Sequence, residues 1–207
     1  MKIKLFFSAL VIGLFAACGP SVTLTKTWTD PSLNGDTKPF NKVLVIAQLK
    51  DDSTRRIAED KIVASSPRGN FIQSYNYLKP SEKEENLVIA DLTRDGIDGI
   101  ILMRLTDIEK TTSYVQGTTY YGGWGYRGGY YGGYGYGYGS PGYYQEDKTY
   151  YVETNIYDVK TNKLLWTGTV STTNPSKLDT TIDAIILAVK TELYNKGLLK
   201  KEEVIKK

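Results

Sequence analysis

The chain has 207 residues, with 26 Lys and Arg against 23 Asp and Glu, no histidine and a single cysteine. One cysteine excludes an intramolecular disulfide, and the missing imidazole excludes a histidine general base or a His-ligated metal, leaving only oxygen donors. A formal charge of +3 argues against nucleic-acid capture, which depends on clustered neutralisation of phosphates.

Lys2 and Lys4 make a basic start, residues 5–17 are apolar, and Ala16 and Ala17 precede Cys18. This order predicts a secretory signal over 1–17; the run falls short of the roughly 20 residues of a membrane span. Phe15-Ala16-Ala17-Cys18 resembles a bacterial lipobox, with Phe15 where leucine is usual and Leu14 one step earlier. The resemblance implies cleavage before Cys18 and acylation of that residue, which makes membrane lipid a partner. Gly19 stands where an aspartate would retain an inner-membrane lipoprotein, so the expected address is the outer membrane, on its periplasmic face. Without residues 1–17, 190 residues remain, with 24 basic against 23 acidic side chains.

Residues 18–40 read as a polar tether broken by Pro20, Pro31 and Pro39. Within it Thr27-Trp28-Thr29 reads as a short edge strand or a segment lying across the domain, with Trp28 packed. Residues 41–199 suit a single α/β domain with one core, and 200–207 form a charged tail. Val43-Leu44-Val45-Ile46-Ala47 has the continuous apolar, β-branched character of a strand buried on both faces. Residues 51–64 follow as a helix capped by Asp52, Ser53 or Thr54, with Ile57, Ala58, Lys61 and Ile62 on one side. Phe71, Tyr75 and Tyr77 alternate along a second expected strand over 71–78. Ser81 and Glu84 make a capping box for a helix using Leu87, Val88, Ala90 and Leu92, stopped at Gly96.

Ile100, Leu102 and Arg104 alternate with Ile101, Met103 and Leu105 in a third, interior strand. This β-α-β-α-β order requires parallel strands joined by right-handed crossovers. Residues 149–159 and 164–171, separated by Thr161-Asn162-Lys163, read as an antiparallel hairpin. Ser176 and Asp179 are placed to cap a final helix whose apolar stripe is Leu178, Ile182, Ile185, Ile186, Val189 and Leu193, ended by Gly197. Leu198 and Leu199 are expected to fold back on the core. The fold class is therefore α/β bordering on α+β: a mixed sheet, β-α-β-α-β, then an antiparallel meander and a C-terminal helix.

Residues 114–144 interrupt the meander, and 12 of these 31 are glycine and 11 tyrosine. Glycine loses the most backbone entropy on ordering, so the insertion reads as a loose flap or a two-stranded ribbon. Tyrosine buries area at low rotamer cost and keeps a hydroxyl, as recognition surfaces require. Tyr120, Tyr121, Trp124, Tyr126, Tyr130, Tyr131, Tyr134, Tyr136 and Tyr138 are the candidate partner-binding residues, toward an envelope protein or glycan. A loop without a ligand fits the same composition.

No catalytic residue or cofactor is assigned. Asp51, Asp52, Glu59 and Asp60 lack the alternating donor spacing of a calcium loop and read as solvated helix-start acids. No glycine motif lies in a strand-turn-helix setting suited to phosphate.

Several islands resemble an uncharacterised family of small Gram-negative lipoproteins: Thr27-Trp28-Thr29-Asp30-Pro31; residues 40–46; Arg56 and Glu59; Ser74-Tyr75 with Leu78; residues 153–158; and Lys163-Leu164-Leu165-Trp166. Such proteins look like the N-terminal α/β domain of TolB-type proteins and like curli-secretion lipoproteins. The resemblance implies an envelope location and this fold, and carries no catalytic residue. The reading is a non-catalytic interaction or structural module; the alternative is an accessory or catalytic component acting on envelope glycans, which requires two juxtaposed acids in a deep pocket.

Overall fold

The chain folds around the apolar run at residues 43–47, as a computed structural model describing residues 21–33, 39–66, 68–78, 85–118 and 140–199 shows. In chain order the elements are β1 (Val22–Thr29), β2 (Val43–Gln48), α1 (Asp52–Ala64), β3 (Phe71–Gln73), α2 (Ser74–Tyr77), α3 (Glu85–Arg94), β4 (Gly99–Val115), β5 (Tyr143–Asp158), β6 (Lys163–Thr173) and α4 (Leu178–Asn195). They make one six-stranded sheet of order β1-β6-β5-β4-β2-β3. β2 is parallel to both β3 and β4, and the remaining pairs are antiparallel. The mixed sheet, the meander and the terminal helix are those the sequence predicts.

β2 is apolar on both sides because each side faces a core. Val45 and Ala47 join Met103, Val152, Trp166 and Val170 beneath α1 and α4, while Leu44 packs with Leu92, Ile97 and Val159 on the reverse face. From α4 come Ile182, Ile185, Val189 and Leu193, with Leu198 and Leu199 folded back beside them. Gly96 (φ 75°) and Gly197 (φ 73°) end α3 and α4 in the left-handed conformation. In both, an amide beyond the glycine returns to the last turn: Ile97 N to Leu92 O at 2.8 Å, and Leu198 N to Leu193 O at 2.8 Å, the arrangement glycine permits at a helix end.

Buried carboxylates fix the parallel half. Glu59, fully buried, accepts from Ala47 N (3.1 Å), Arg55 Nε (3.1 Å), Ser74 Oγ (2.7 Å) and Tyr75 N (3.2 Å). Asp98 accepts from Asn41 N (2.9 Å), Lys42 N (3.0 Å) and Asn41 Nδ2 (2.8 Å), clamping the entry to β2 against the start of β4. Phe40 lies over Gly99 there, and a Cβ at that glycine would come 2.7 Å from the ring.

Several local expectations need correcting. Glu59 is no solvated acid but the polar centre of the core, since it lies three residues before buried Ile62 on the same helical face. Ile57, expected inward, is exposed. Asp51 caps α1, accepting from Thr54 N at 2.9 Å. The expected 71–78 strand stops at Gln73, because the Ser74 hydroxyl and the Tyr75 amide bond to Glu59. Ala90 is exposed and Ile89 half-buried; the Ser81–Glu84 box lies outside the described residues. α4 begins after Lys177 without a side-chain cap from Ser176, and Leu178 is exposed. Trp28 lies in an edge strand longer than expected and is 46% exposed, so it is not packed away.

Two threonines break the register on a single row. The ladders shift between Leu24 and Lys26 in β1 and between Leu105 and Asp107 in β4. Leu24 pairs with Val170, Val170 with Val152, and Val152 with Leu105. The extra residues, Thr25 and Thr106, each donate a hydroxyl to the facing strand, at Thr169 O (3.0 Å) and Tyr151 O (3.1 Å). Such bulges bend and twist a sheet.

Removing the hub carboxylate strands two buried amides and a guanidinium, so Glu59→Ala should lose about 3–5 kcal/mol of stability, read by urea unfolding. Burial pushes the Asp98 carboxyl upward, but the bonds from Asn41 and Lys42 prevail and hold it below the ordinary range. A folded pKa below the unfolded value stabilises at pH values above the unfolded pKa of about 3.9, and the contribution disappears as pH falls through the folded pKa. Asp98→Asn should therefore flatten the acid limb of a stability–pH profile below about pH 4 while lowering stability at neutral pH.

Candidate functional site

Cys18 and the nine aromatic candidates, Tyr120, Tyr121, Trp124, Tyr126, Tyr130, Tyr131, Tyr134, Tyr136 and Tyr138, lie outside the described residues. The described flanks of the insertion are ordered into a ribbon. β4 and β5 stay paired from Glu109–Thr149 out to Val115–Tyr143, whereas β6 ends its pairing at Thr149–Thr173. Asn174 (φ 46°) marks the departure. Its side chain accepts from Lys148 N (2.9 Å) and donates to Asp147 Oδ1 (2.6 Å), while its amide reaches Lys148 O at 2.9 Å. Bonds from Gln145 and Asn174 hold the Asp147 carboxyl below its ordinary pKa.

The stem is polar: Thr111 faces Asp147, Thr112 faces Glu146 and Ser113 faces Gln145. Tyr151 donates to Glu109 at 2.8 Å, and that bond pushes its phenol pKa up. At the outer end the chemistry changes. Tyr114 pairs with Tyr144, their ring centroids 5.1 Å apart and tilted by 56°, within the range of favourable aromatic contacts. Val115 faces Tyr143 on the other side. Tyr114, Tyr143 and Tyr144 are 58%, 59% and 76% exposed. A Cβ at Gly142 would meet the Tyr114 hydroxyl and come 2.9 Å from Val115 O, so glycine lets that ring lie across the strand. These three tyrosines belong to the aromatic stretch but were not among the sequence candidates; their position at the strand junctions is the signal that could have singled them out.

A second feature lies at the opposite end of the sheet. A cavity of about 580 Å³ opens between the sheet and the ends of α1 and α4, a size within the range of small-molecule sites. Its walls include Ile62, Ile101, Met103, Ile156, Trp166 and Leu193, with Lys163 and Lys190 on its lining. Lys190 Nζ donates to Ser65 O at 2.8 Å, joining α4 to the end of α1. The Thr154 hydroxyl and the Trp166 indole N–H are buried without a hydrogen-bond partner among the described residues. Thr154 faces Gly168 across the ladder, and the Trp166 ring lies over that glycine, so both groups belong to one patch of the floor.

Two carboxylates in the wall, Asp30 and Asp158, each serve a turn. Asp30 accepts from Ser32 N and Oγ, both at 2.8 Å, and these bonds lower its pKa. Asp158 accepts from Thr161 N (2.7 Å) and Oγ1 (2.9 Å). Among the described residues, no group of three or more His, Cys, Asp or Glu side chains is arranged to hold a metal ion, and no helix is long and apolar enough to cross a membrane.

No family model matches the chain, and a search of curated proteins finds no match. Among solved structures, a PelC dodecamer from Paraburkholderia phytofirmans is 15% identical, covering 84% of this chain and 97% of that one with a TM-score of 0.44. Lipoprotein GNA1162 from Neisseria meningitidis is 11% identical over 74% of this chain and 98% of its own, TM-score 0.38. TolB from Acinetobacter baumannii is 14% identical over 85% of this chain and 31% of its own, TM-score 0.36. The similarity is remote at these values, and no residue role is carried across.

The unpartnered Thr154 hydroxyl gives the cavity floor a measurable signature. Replacing it with a methyl of the same shape removes an unsatisfied buried group, so Thr154→Val should raise stability by about 1 kcal/mol, read as a higher urea midpoint at unchanged slope.

Proposed function

We propose that the protein is a lipid-anchored module of the cell envelope that works by contact, acylated at Cys18 and held at the periplasmic face of the outer membrane. Its contact surface is the aromatic insertion, from the ribbon end at Tyr114 and Tyr144 through Tyr120, Tyr121, Trp124, Tyr126, Tyr130, Tyr131, Tyr134, Tyr136 and Tyr138. The observation that supports this reading is the ribbon itself. A folded stem with a polar surface lifts tyrosines clear of the domain, where Tyr114, Tyr143 and Tyr144 remain largely exposed. A tolerated loop has no need of a stem held by a register of paired residues, an Asn174 clasp and a glycine under Tyr114.

The glycan-processing alternative draws less support. It calls for two acids working together in a deep pocket, whereas the cavity's Asp30 and Asp158 are committed to neighbouring backbone and hydroxyl groups. A non-catalytic role is the reading these contacts favour.

Crosslinking in intact cells, with the full chain and with a variant lacking residues 114–144, tests the contact surface. Deletion should abolish most of the crosslinked species; an unchanged set would remove the insertion from the recognition surface. The mass of the mature N-terminal peptide tests the anchor, with a triacylated Cys18 expected and an unmodified Cys18 counting against it.

A further inference from the structure

The direction in which the chain enters the sheet bears on what the ribbon end meets. Val22, Thr172, Tyr150 and Ile108 lie in one row across β1, β6, β5 and β4. β1 runs from this row toward Thr29, while β4 comes from Gly99, passes the row and continues to Val115. The approach to β1 and the outward run of the ribbon, which continues past Val115 to a bond from Ser140 N to Thr118 O (3.3 Å), therefore leave the sheet on the same side. Cys18 precedes Val22 by four residues, which at full extension keeps it within about 14 Å of the row. From Ile108 to Val115 the ribbon advances seven residues, about 24 Å. The two reaches are of the same order, so the tether and the ribbon can meet one surface.

We propose that the aromatic level of the ribbon formed by Tyr114, Val115, Tyr143 and Tyr144 is a membrane-contact site, resting at headgroup level on the same bilayer that holds Cys18. This rests on acylation of Cys18, as proposed above, and names the lipid surface as the partner of the described part of the contact surface. A bilayer that holds Cys18 therefore lies within reach of the rings. Both faces of that level are suited to this, with Tyr114 and Tyr144 on one and Val115 and Tyr143 on the other. Tyrosine settles where an apolar ring and a wet hydroxyl are both accommodated, which is the bilayer interface.

The stem is built to stay in water. Between the row and that level it carries Glu109, Lys110, Thr111, Thr112 and Ser113 opposite Gln145, Glu146, Asp147 and Lys148. Four carboxylates, counting Asp107, stand against two lysines there, so anionic headgroups do not draw the ribbon in. The contact comes from partition of the rings and is insensitive to salt.

Because Cys18 is the only cysteine and acylation blocks its thiol, one engineered cysteine reports position cleanly. The full-length protein is purified from envelopes as Gln116→Cys and as Lys160→Cys, both exposed sites, the first beside the four contact residues and the second at the far end of the sheet. Each is labelled with an environment-sensitive fluorophore and reconstituted into phosphatidylethanolamine–phosphatidylglycerol vesicles carrying a headgroup-level quencher. Quenching several-fold stronger at 116 than at 160, unchanged between low and high salt, is the expected result. An acylated protein with equal, weak quenching at both sites overturns the membrane contact and leaves the anchor standing. A spectral shift of the label at 116 in native envelope fragments without quenching in pure lipid vesicles also overturns it, in favour of a protein or glycan partner. An unmodified Cys18 in the same preparation overturns the anchor, and the reach argument falls with it.

Discussion

The parallel half of this fold is organised around one negative charge with no access to water. Moving a carboxylate out of solvent costs several kcal/mol unless its lone pairs are answered, and Glu59 has two backbone amides, a hydroxyl and a guanidinium around it. Those donors come from different elements: Ala47 from the end of β2, Arg55 from α1's first turns, Ser74 and Tyr75 from the chain leaving β3. Arg55 also donates to Ser74 Oγ at 3.0 Å, so the network closes on itself and each bond polarises its neighbour. The rotation of α1, the end of β2 and the length of β3 are thereby set together.

The outside of the same turn is tied down as well. Tyr75 donates to Asp60 at 2.6 Å, which together with burial pushes its phenol pKa up, and the Arg56 guanidinium sits 4.7 Å above the Tyr75 ring. A three-residue β3 contributes little ladder energy as an edge strand, so side-chain bonds hold the segment in place. The antiparallel half is built differently. There β4, β5 and β6 run 17, 16 and 11 residues, and continuous pairing does what the carboxylates do on the other side.

That contrast explains what the sequence disclosed. Residues 43–47, 99–105 and 178–193 announce themselves because one or both faces are buried and apolar periodicity records burial. Glu59 was hidden among Asp51, Asp52 and Asp60, since composition does not separate a solvated acid from a buried one. Its place three residues before Ile62 is the signal that sets it on the inward side of the helix. The 71–78 stretch alternates as a strand would, yet long-range bonds to Glu59 override that pattern after three residues. The stem of the ribbon left no mark in the sequence, because a two-stranded ribbon wet on both faces has no buried side to imprint a period of two. Within the contact surface, sequence located the aromatic stretch but could not rank its rings, which lack any periodic relation to a core.

The aligned bulges change register on one level of the sheet, and the ribbon begins beyond them, where β6 ends its pairing at Thr149–Thr173. A one-residue insertion shifts every later side chain to the other face of its strand. Thr25 and Thr106 occur at the same level, so β1 and β4 change register together while β5 and β6 between them run straight through the row. The Thr25 and Thr106 hydroxyls answer carbonyls on the facing strands, which lets the irregularity sit in a continuous sheet without orphaned acceptors. Below the row the apolar side chains Leu105, Val152 and Val170 belong to the core under α4; above it β4 carries Asp107, Glu109 and Lys110. The bulge row is thus where β4 turns wet, while β1 and β6 continue past it to Val22 and Thr173 with Thr172 still buried. The cavity lies at the other end, near Gly99 and Asp158. A contact made by the tyrosines leaves that cavity open to a different occupant, because the two features share strands but no surface.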